Sequence, residues 1–136
     1  MSAQIPETHR DLLEGPVVVS LVTLMPDGQP QATPVWCDYD GTYVRVNTAA
    51  GRQKYKNMLE RPQVTVLAID PQNPYRWLEV RGRVAESSEA DGLAHINQLC
   101  ELYTGNPDYY SRNPRLRGQE QRVMFKIEPK RVVAGG

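Results

Sequence analysis

Cysteine and histidine are nearly absent from this chain, with two of each in 136 residues. Cys37 and Cys100 sit far apart, in an apparent strand and on an apparent helix face, with no CxxC or Cys/His metal spacing. They read as free core thiols of a reducing cytoplasm. His9 and His95 are isolated, with no carboxylate or cysteine at ligand spacing, so no metal is expected. Net charge is absent too. Sixteen bases balance sixteen acids, which removes electrostatic support for nucleic-acid binding. Tyr43 and Arg45 alone are too little for a single-strand stacking platform. No apolar run approaches the ~20 residues of a membrane span, and no signal peptide is evident. The sequence holds no repeat and no low-complexity tract. The expectation is one soluble cytoplasmic domain, 1–136, with a single core.

Two local absences are more informative. No Lys or Arg occurs between Gly15 and Val44. Then, after a small-residue turn at Asn47-Thr48-Ala49-Ala50-Gly51, a helix opens with Arg52, Lys54 and Lys56, and its first acid is Glu60. The positive end of a helix dipole disfavours bases by roughly 0.3–1 kcal/mol each. Three bases there point to an anion bound by free backbone N–H groups and clamped by Arg52 and Lys54. Solvated surface bases are the plain alternative. Gly51, which permits close backbone approach, and the Thr48 hydroxyl shift the balance toward phosphate.

The remaining pattern is mainly strand. A short helix is predicted over Pro6 to Glu14, stopped by Gly15-Pro16. Val17 to Met25 is a nearly continuous apolar strand, expected to be covered on both faces. Pro26-Asp27-Gly28-Gln29 and Asp40-Gly41 are hairpin turns flanking a second strand, Pro30 to Tyr39. Strands follow at Thr42 to Thr48 and at Val64 to Ile69. A long strand, Arg76 to Ala85, is read with Trp77, Val80 and Val84 as its apolar face and a bulge at Gly82. Ser87 or Ser88 is expected to cap a helix presenting Leu93, Ile96, Cys100 and Tyr103, ended by Gly105-Asn106-Pro107. A short helix is expected near Asp108–Arg112, then strands at Arg122 to Ile127 and at Arg131 to Val133. Six or seven strands in tight turns, with helices inserted at two points, predict a mainly β fold: a small antiparallel barrel.

These residues resemble the split-barrel family that includes pyridoxamine 5′-phosphate oxidase, and more closely its deazaflavin (coenzyme F420) branch. The resemblance covers nearly the whole chain. It rests on the order of Met25-Pro26-Asp27-Gly28-Gln29-Pro30, Thr33-Pro34-Val35-Trp36, Asp40-Gly41, Thr48 to Leu59, Leu78-Glu79-Val80-Arg81-Gly82 and Ile127-Glu128-Pro129-Lys130-Arg131-Val132. It implies a six- to seven-stranded split β-barrel, homodimeric, with cofactor sites at the subunit boundary. In that family the Gly-Arg-x-Lys turn binds cofactor phosphate, which carries over to Gly51, Arg52, Gln53 and Lys54, with Asn47 and Thr48 beside them. Pro34, Val35 and Trp36 would lie along the cofactor ring, and Lys56 and Trp77 complete the implied contacts. Pro34 also argues for an edge or bulge, since proline donates no ladder hydrogen bond.

The FMN-binding oxidase branch typically places Arg and Lys on the second strand, and here Gln31 to Trp36 carries neither. That departure favours F420, whose polyglutamate tail Lys56 and Arg61 could pair. FMN is the alternative. The implied activity is hydride transfer from reduced F420 to an electron-poor enone, quinone or bilin-like acceptor. A flavin, deazaflavin or haem carrier without turnover is the competing class. No catalytic residue is identified. Tyr75, Arg76, Tyr109 and Tyr110 are the candidate proton donors or polarising groups.

Overall fold

A computed structural model describes residues 2–136. Seven strands and three α-helices are seen: α1 (Asp11–Glu14), β1 (Val19–Leu24), β2 (Pro30–Val35), β3 (Cys37–Tyr39), β4 (Val44–Ala49), α2 (Gln53–Glu60), β5 (Gln63–Ile69), β6 (Trp77–Ser88), α3 (Gly92–Thr104) and β7 (Arg122–Gly135). Two 3-10 turns, Tyr109–Arg112 and Pro114–Leu116, join α3 to β7. No helix among the described residues is long and apolar enough to cross a membrane.

The strands form one antiparallel sheet in the order β2-β1-β5-β6-β7-β4-β3. The two edge strands, β2 and β3, are separated in sequence by Trp36 alone. The sheet must therefore curl until its edges meet, and the chain crosses the seam at Trp36. The stretch expected as one strand, Pro30 to Tyr39, is thus two strands pairing at opposite ends of the sheet. The opposite correction applies at the C-terminus. Pro129 does not end a strand; it sits inside β7. The register slips there, from Arg81 opposite Arg131 to Gly82 opposite Pro129, so the bulge at Gly82 absorbs the missing donor.

Alternation decides which faces are buried. Leu21, Val46, Val66, Val80, Phe125 and Ile127, each at most 1 % exposed, fill the barrel. Val80, Val84 and Val132 belong to this core, whereas Trp77, an odd number of residues from Val80, lies on the outer face with Glu79, Arg81 and Arg83, so the three expected residues do not share one face. On β1 only one face is buried, and Val18 is 56 % exposed on the other, so coverage of both faces does not hold within one chain. Ser87 and Ser88 finish β6, and Asp91 precedes α3 without a side-chain cap, although the Asp91 N–H donates to Ser88 Oγ. The buried side of α3 is His95, Ile96, Leu99 and Cys100, with Leu93 outside. Gly105 ends α3 in the left-handed conformation, as its position predicts.

Tyr103 closes the seam. Its hydroxyl donates to the Val17 carbonyl at 2.6 Å and accepts from the Cys37 N–H at 3.0 Å, tying the start of β1 to the start of β3. Its ring stacks on Trp36, with centroids 5.1 Å apart. Both cysteines are buried free thiols, and burial beside Asp38 pushes the Cys37 thiol up to about 12.

Candidate functional site

Outside the barrel, beside the seam, lies a cleft of about 330 Å³. Pro34, Val35 and Trp36 form one wall and Val18 its edge; Ile96 and Leu99 of α3 and Tyr109 of the first 3-10 turn face them. Asn47, Arg52, Lys54 and Arg122 supply the polar end. No carboxylate lines the cleft.

The polar end is built by the turn before α2. Gly51 takes φ +93°, open to glycine alone at little cost, and reverses the chain. Arg52 is the N-cap in extended conformation, no side chain caps the helix, and its first turn holds no acid. The first N–H groups of α2 are therefore free of side-chain partners beside two bases. Lys54 is half-buried. Its ammonium donates to Thr33 Oγ1 at 3.2 Å and meets no carboxylate. Burial, with Arg52 and Arg122 nearby, holds its pKa below the ordinary lysine value. The third cation, Arg122, is 4 % exposed. Its Nε donates to Asn47 Oδ1 at 2.9 Å, its Nη1 to Glu120 at 3.4 Å, and its guanidinium lies 5.2 Å from the Tyr109 ring centroid. No hydrogen bond among the described residues uses Nη2. Glu120, which also reaches Arg52 at 3.3 Å, is the one acid partner of the three cations, leaving a local charge of three minus one, or +2. A buried guanidinium with a spare donor beside an uncapped helix N-terminus is a site for an anion.

The sequence-predicted contacts divide. Pro34, Val35, Trp36, Asn47, Arg52 and Lys54 are brought together, with Gly51 forming the turn. Thr48 is buried on the face of β4 opposite Asn47, and its hydroxyl has no partner. The Gln53 amide turns back to Asn57 at 2.8 Å, leaving its backbone N–H in the first helical turn. Lys56 is exposed and outside the cleft. Arg61 is engaged by the Leu24 carbonyl and Glu60. Trp77 pairs with Ile69 and Gly135 and lines a separate cleft with Leu67, Ile69 and Pro74. Of the four proposed proton donors, Tyr109 lines the cleft. Tyr110 donates to Glu120 at 3.0 Å, and burial with that bond raises it to about 12. Tyr75 is 82 % exposed, and Arg76 is held by Asp11 and Asp70.

Arg122 is the site residue that the sequence reading missed. Its signal was a cation placed directly before the apolar run Val123-Met124-Phe125. His95 was read as isolated, yet folding brings Asp38 to 3.2 Å from its Nε2. Burial works to raise the Asp38 carboxyl, but bonds from His95 and Arg45 outweigh it and hold the group below the usual range.

A curled antiparallel sheet whose chain crosses its own seam is a split barrel, here with a cation-ended cleft outside it. A family model described as pyridoxamine 5′-phosphate oxidase matches residues 5–134, and the chain belongs to that family. Among solved structures it resembles an F420 reductase at 34% identity and TM-score 0.80, over 95% of this chain and 98% of that one. It also resembles a conserved hypothetical protein of Mycobacterium tuberculosis (24% identity, TM-score 0.77, 98% and 86% covered) and HupZ of Group A Streptococcus (14%, 0.65, 96% and 94%). These last two share the fold. No curated protein matches the chain.

Proposed function

We propose that this protein is a deazaflavin-dependent oxidoreductase that binds coenzyme F420 in the cleft at the barrel seam. The observation carrying this reading is the convergence of Arg52, Lys54 and Arg122, with a single acid partner, at the end of a cleft walled by Pro34–Trp36. Similarity over nearly full length to a protein named as an F420 reductase supports it. The donor set fits the group: cations and helix N–H groups for its phosphodiester, an apolar wall for its ring. The lack of any cation on β2 favours F420 over FMN.

When bound and reduced, the cofactor supplies a hydride to an electron-poor acceptor. The chain's own residues bind, orient and dry the pair. Lys54 and Arg122 hold the anionic end, the first N–H groups of α2 add donors, and Trp36, itself fixed by Tyr103, orients the apolar end. Tyr109 is the proton donor of this reading: it lines the cleft, and among the described residues its hydroxyl has no hydrogen-bond partner. Holding ring and acceptor together supplies rate by proximity. The active form is a homodimer, with the exposed outer face around Val18 and Ile69 covered by a second copy.

Fluorescence titration against F420 and FMN tests the cofactor. Adding enone, quinone or bilin acceptors to the reduced F420 complex and following its absorbance tests turnover. Binding without an absorbance change under any acceptor would leave a carrier.

A further inference from the structure

We infer that His95 is a positioning residue, which holds Arg122 in the cleft through Asn47 by staying neutral with its proton on Nε2. Its relevance to binding rests on the cofactor reading above; its geometry does not.

Two neighbours of Asn47 have fixed hydrogen-bonding roles. Arg122 Nε can only donate, so the Asn47 atom 2.9 Å away is the amide oxygen. The Gly92 carbonyl can only accept, so the atom 2.9 Å from it is the amide nitrogen. The orientation of the Asn47 amide is thereby set from both ends. Its second N–H is directed at His95 Nδ1, 3.1 Å away. Nδ1 must then be an unprotonated acceptor, and the ring proton lies on Nε2, where it is donated to Asp38 Oδ1 at 3.2 Å. Asp38 is anchored in turn by Arg45, with contacts of 2.8 and 2.7 Å to its two oxygens. The result is one chain of bonds from the outer surface to the cleft: Arg45, Asp38, His95, Asn47, Arg122. Every polar atom of Asn47 is spent on it.

A hydrogen-bonded chain of this kind has a consequence that packing alone lacks. A proton on Nδ1 would set two donors against each other at 3.1 Å, and the amide holding Arg122 Nε would have to turn. The charged groups around the ring are Asp38 on β3, Arg45 on β4, Asp91 before α3, and Arg122 and Lys126 on β7. His95 is 2 % exposed, so the middle of the chain is shielded from water.

The test uses the intact protein with nitrogen-15 label in histidine and arginine. Wild-type protein is expected to show the His95 pattern of a neutral ring protonated at Nε2, and a sharp, slowly exchanging Arg122 Nε–H signal. His95→Leu is expected to broaden that arginine signal and to weaken both FMN and F420 by about three- to tenfold, the scale of one orienting hydrogen bond. Arg122→Gln is expected to weaken them further, with His95→Leu adding nothing in the double variant, a non-additivity that a general loss of packing would not give. If His95→Leu fails to fold, Asn47→Asp serves instead: an oxygen in place of the amide N–H leaves two acceptors facing each other unless a proton lies between them, so loss of the amide-bonded Nδ1 pattern and a broadened Arg122 Nε–H signal are expected. A ring protonated at Nδ1 in the wild type, an unchanged Arg122 signal, or additive losses would overturn the inference. Absence of any cofactor binding by wild-type protein would instead overturn the cofactor reading, while the two nitrogen signals would still decide the inference.

Discussion

At the scale of single residues, Lys54 beside the Gly51 turn sits where its charge costs stability. Lys54 is charged, half-buried and near Arg52 and Arg122. Its pKa is lower folded than unfolded, so its charge disfavours the fold below that lowered pKa, and the penalty fades as pH rises toward the ordinary lysine value. Lys54→Met is therefore expected to raise stability of the free protein at neutral pH, by roughly 0.5 kcal/mol, the scale of a solvent-screened charge contact. The same change should weaken F420 by about ten- to a hundredfold, the range for a bond to a charged group. Wild-type affinity should also fall as pH rises through the lowered lysine pKa, and the variant should lack that step. Thermal melts and titrations across alkaline pH check all three. Tyr103→Phe tests the seam: it orphans the Cys37 N–H and the Val17 carbonyl, and should cost about 1–3 kcal/mol in chemical denaturation. Arg52 and Lys54 were legible because misplaced charge at a helix start is a local signal. Arg122 and His95 were not, because their meaning depends on Glu120, Asn47 and Asp38, which only folding brings near.

At the scale of elements, most strands and both longer helices were legible from period and turn chemistry. The errors came where tertiary structure overrode a local cue. Trp36 divides a continuous strand pattern because the barrel closes there, and Pro129 stays within β7 because a bulge takes up its missing N–H. The face of β6 was misassigned because Trp77 is apolar and outward, and local pattern cannot tell a core face from an outer apolar one. The approach of α3 to β7 was also invisible. A Cβ at Gly92 would lie 1.9 Å from the Arg122 carbonyl oxygen, so only glycine lets the helix sit this close. Gly92→Ala is expected to lift the start of α3, disturb Asn47 and Arg122 together, and cost about 1–3 kcal/mol. Denaturation should show that loss alongside weakened cofactor binding. Normal binding in a destabilised variant would separate the helix contact from the site.

For the whole molecule, the outer face of β1, β5 and β6 leaves Val18 56 % and Ile69 45 % exposed, with Leu67 and Trp77 beside them. Val18 also lines the cleft, so a copy covering this face would reach the proposed cofactor site. Contiguous exposed apolar surface of this kind favours an interface, and a two-fold pair is the commonest form. Light scattering is expected to give twice the 15.4 kDa chain mass, and Ile69→Lys should shift it toward monomer and weaken F420 binding. A wild-type monomer that binds F420 fully would remove the shared site.

Whether the cation-ended cleft at the barrel seam holds a deazaflavin is decided by fluorescence titration of wild-type protein and Arg122→Gln against F420 and FMN. F420 is expected to bind more tightly than FMN, and the substitution to weaken it by about ten- to a hundredfold, as for a lost charge-assisted bond. FMN binding as tight as F420, or F420 affinity indifferent to Arg122, would contradict the account.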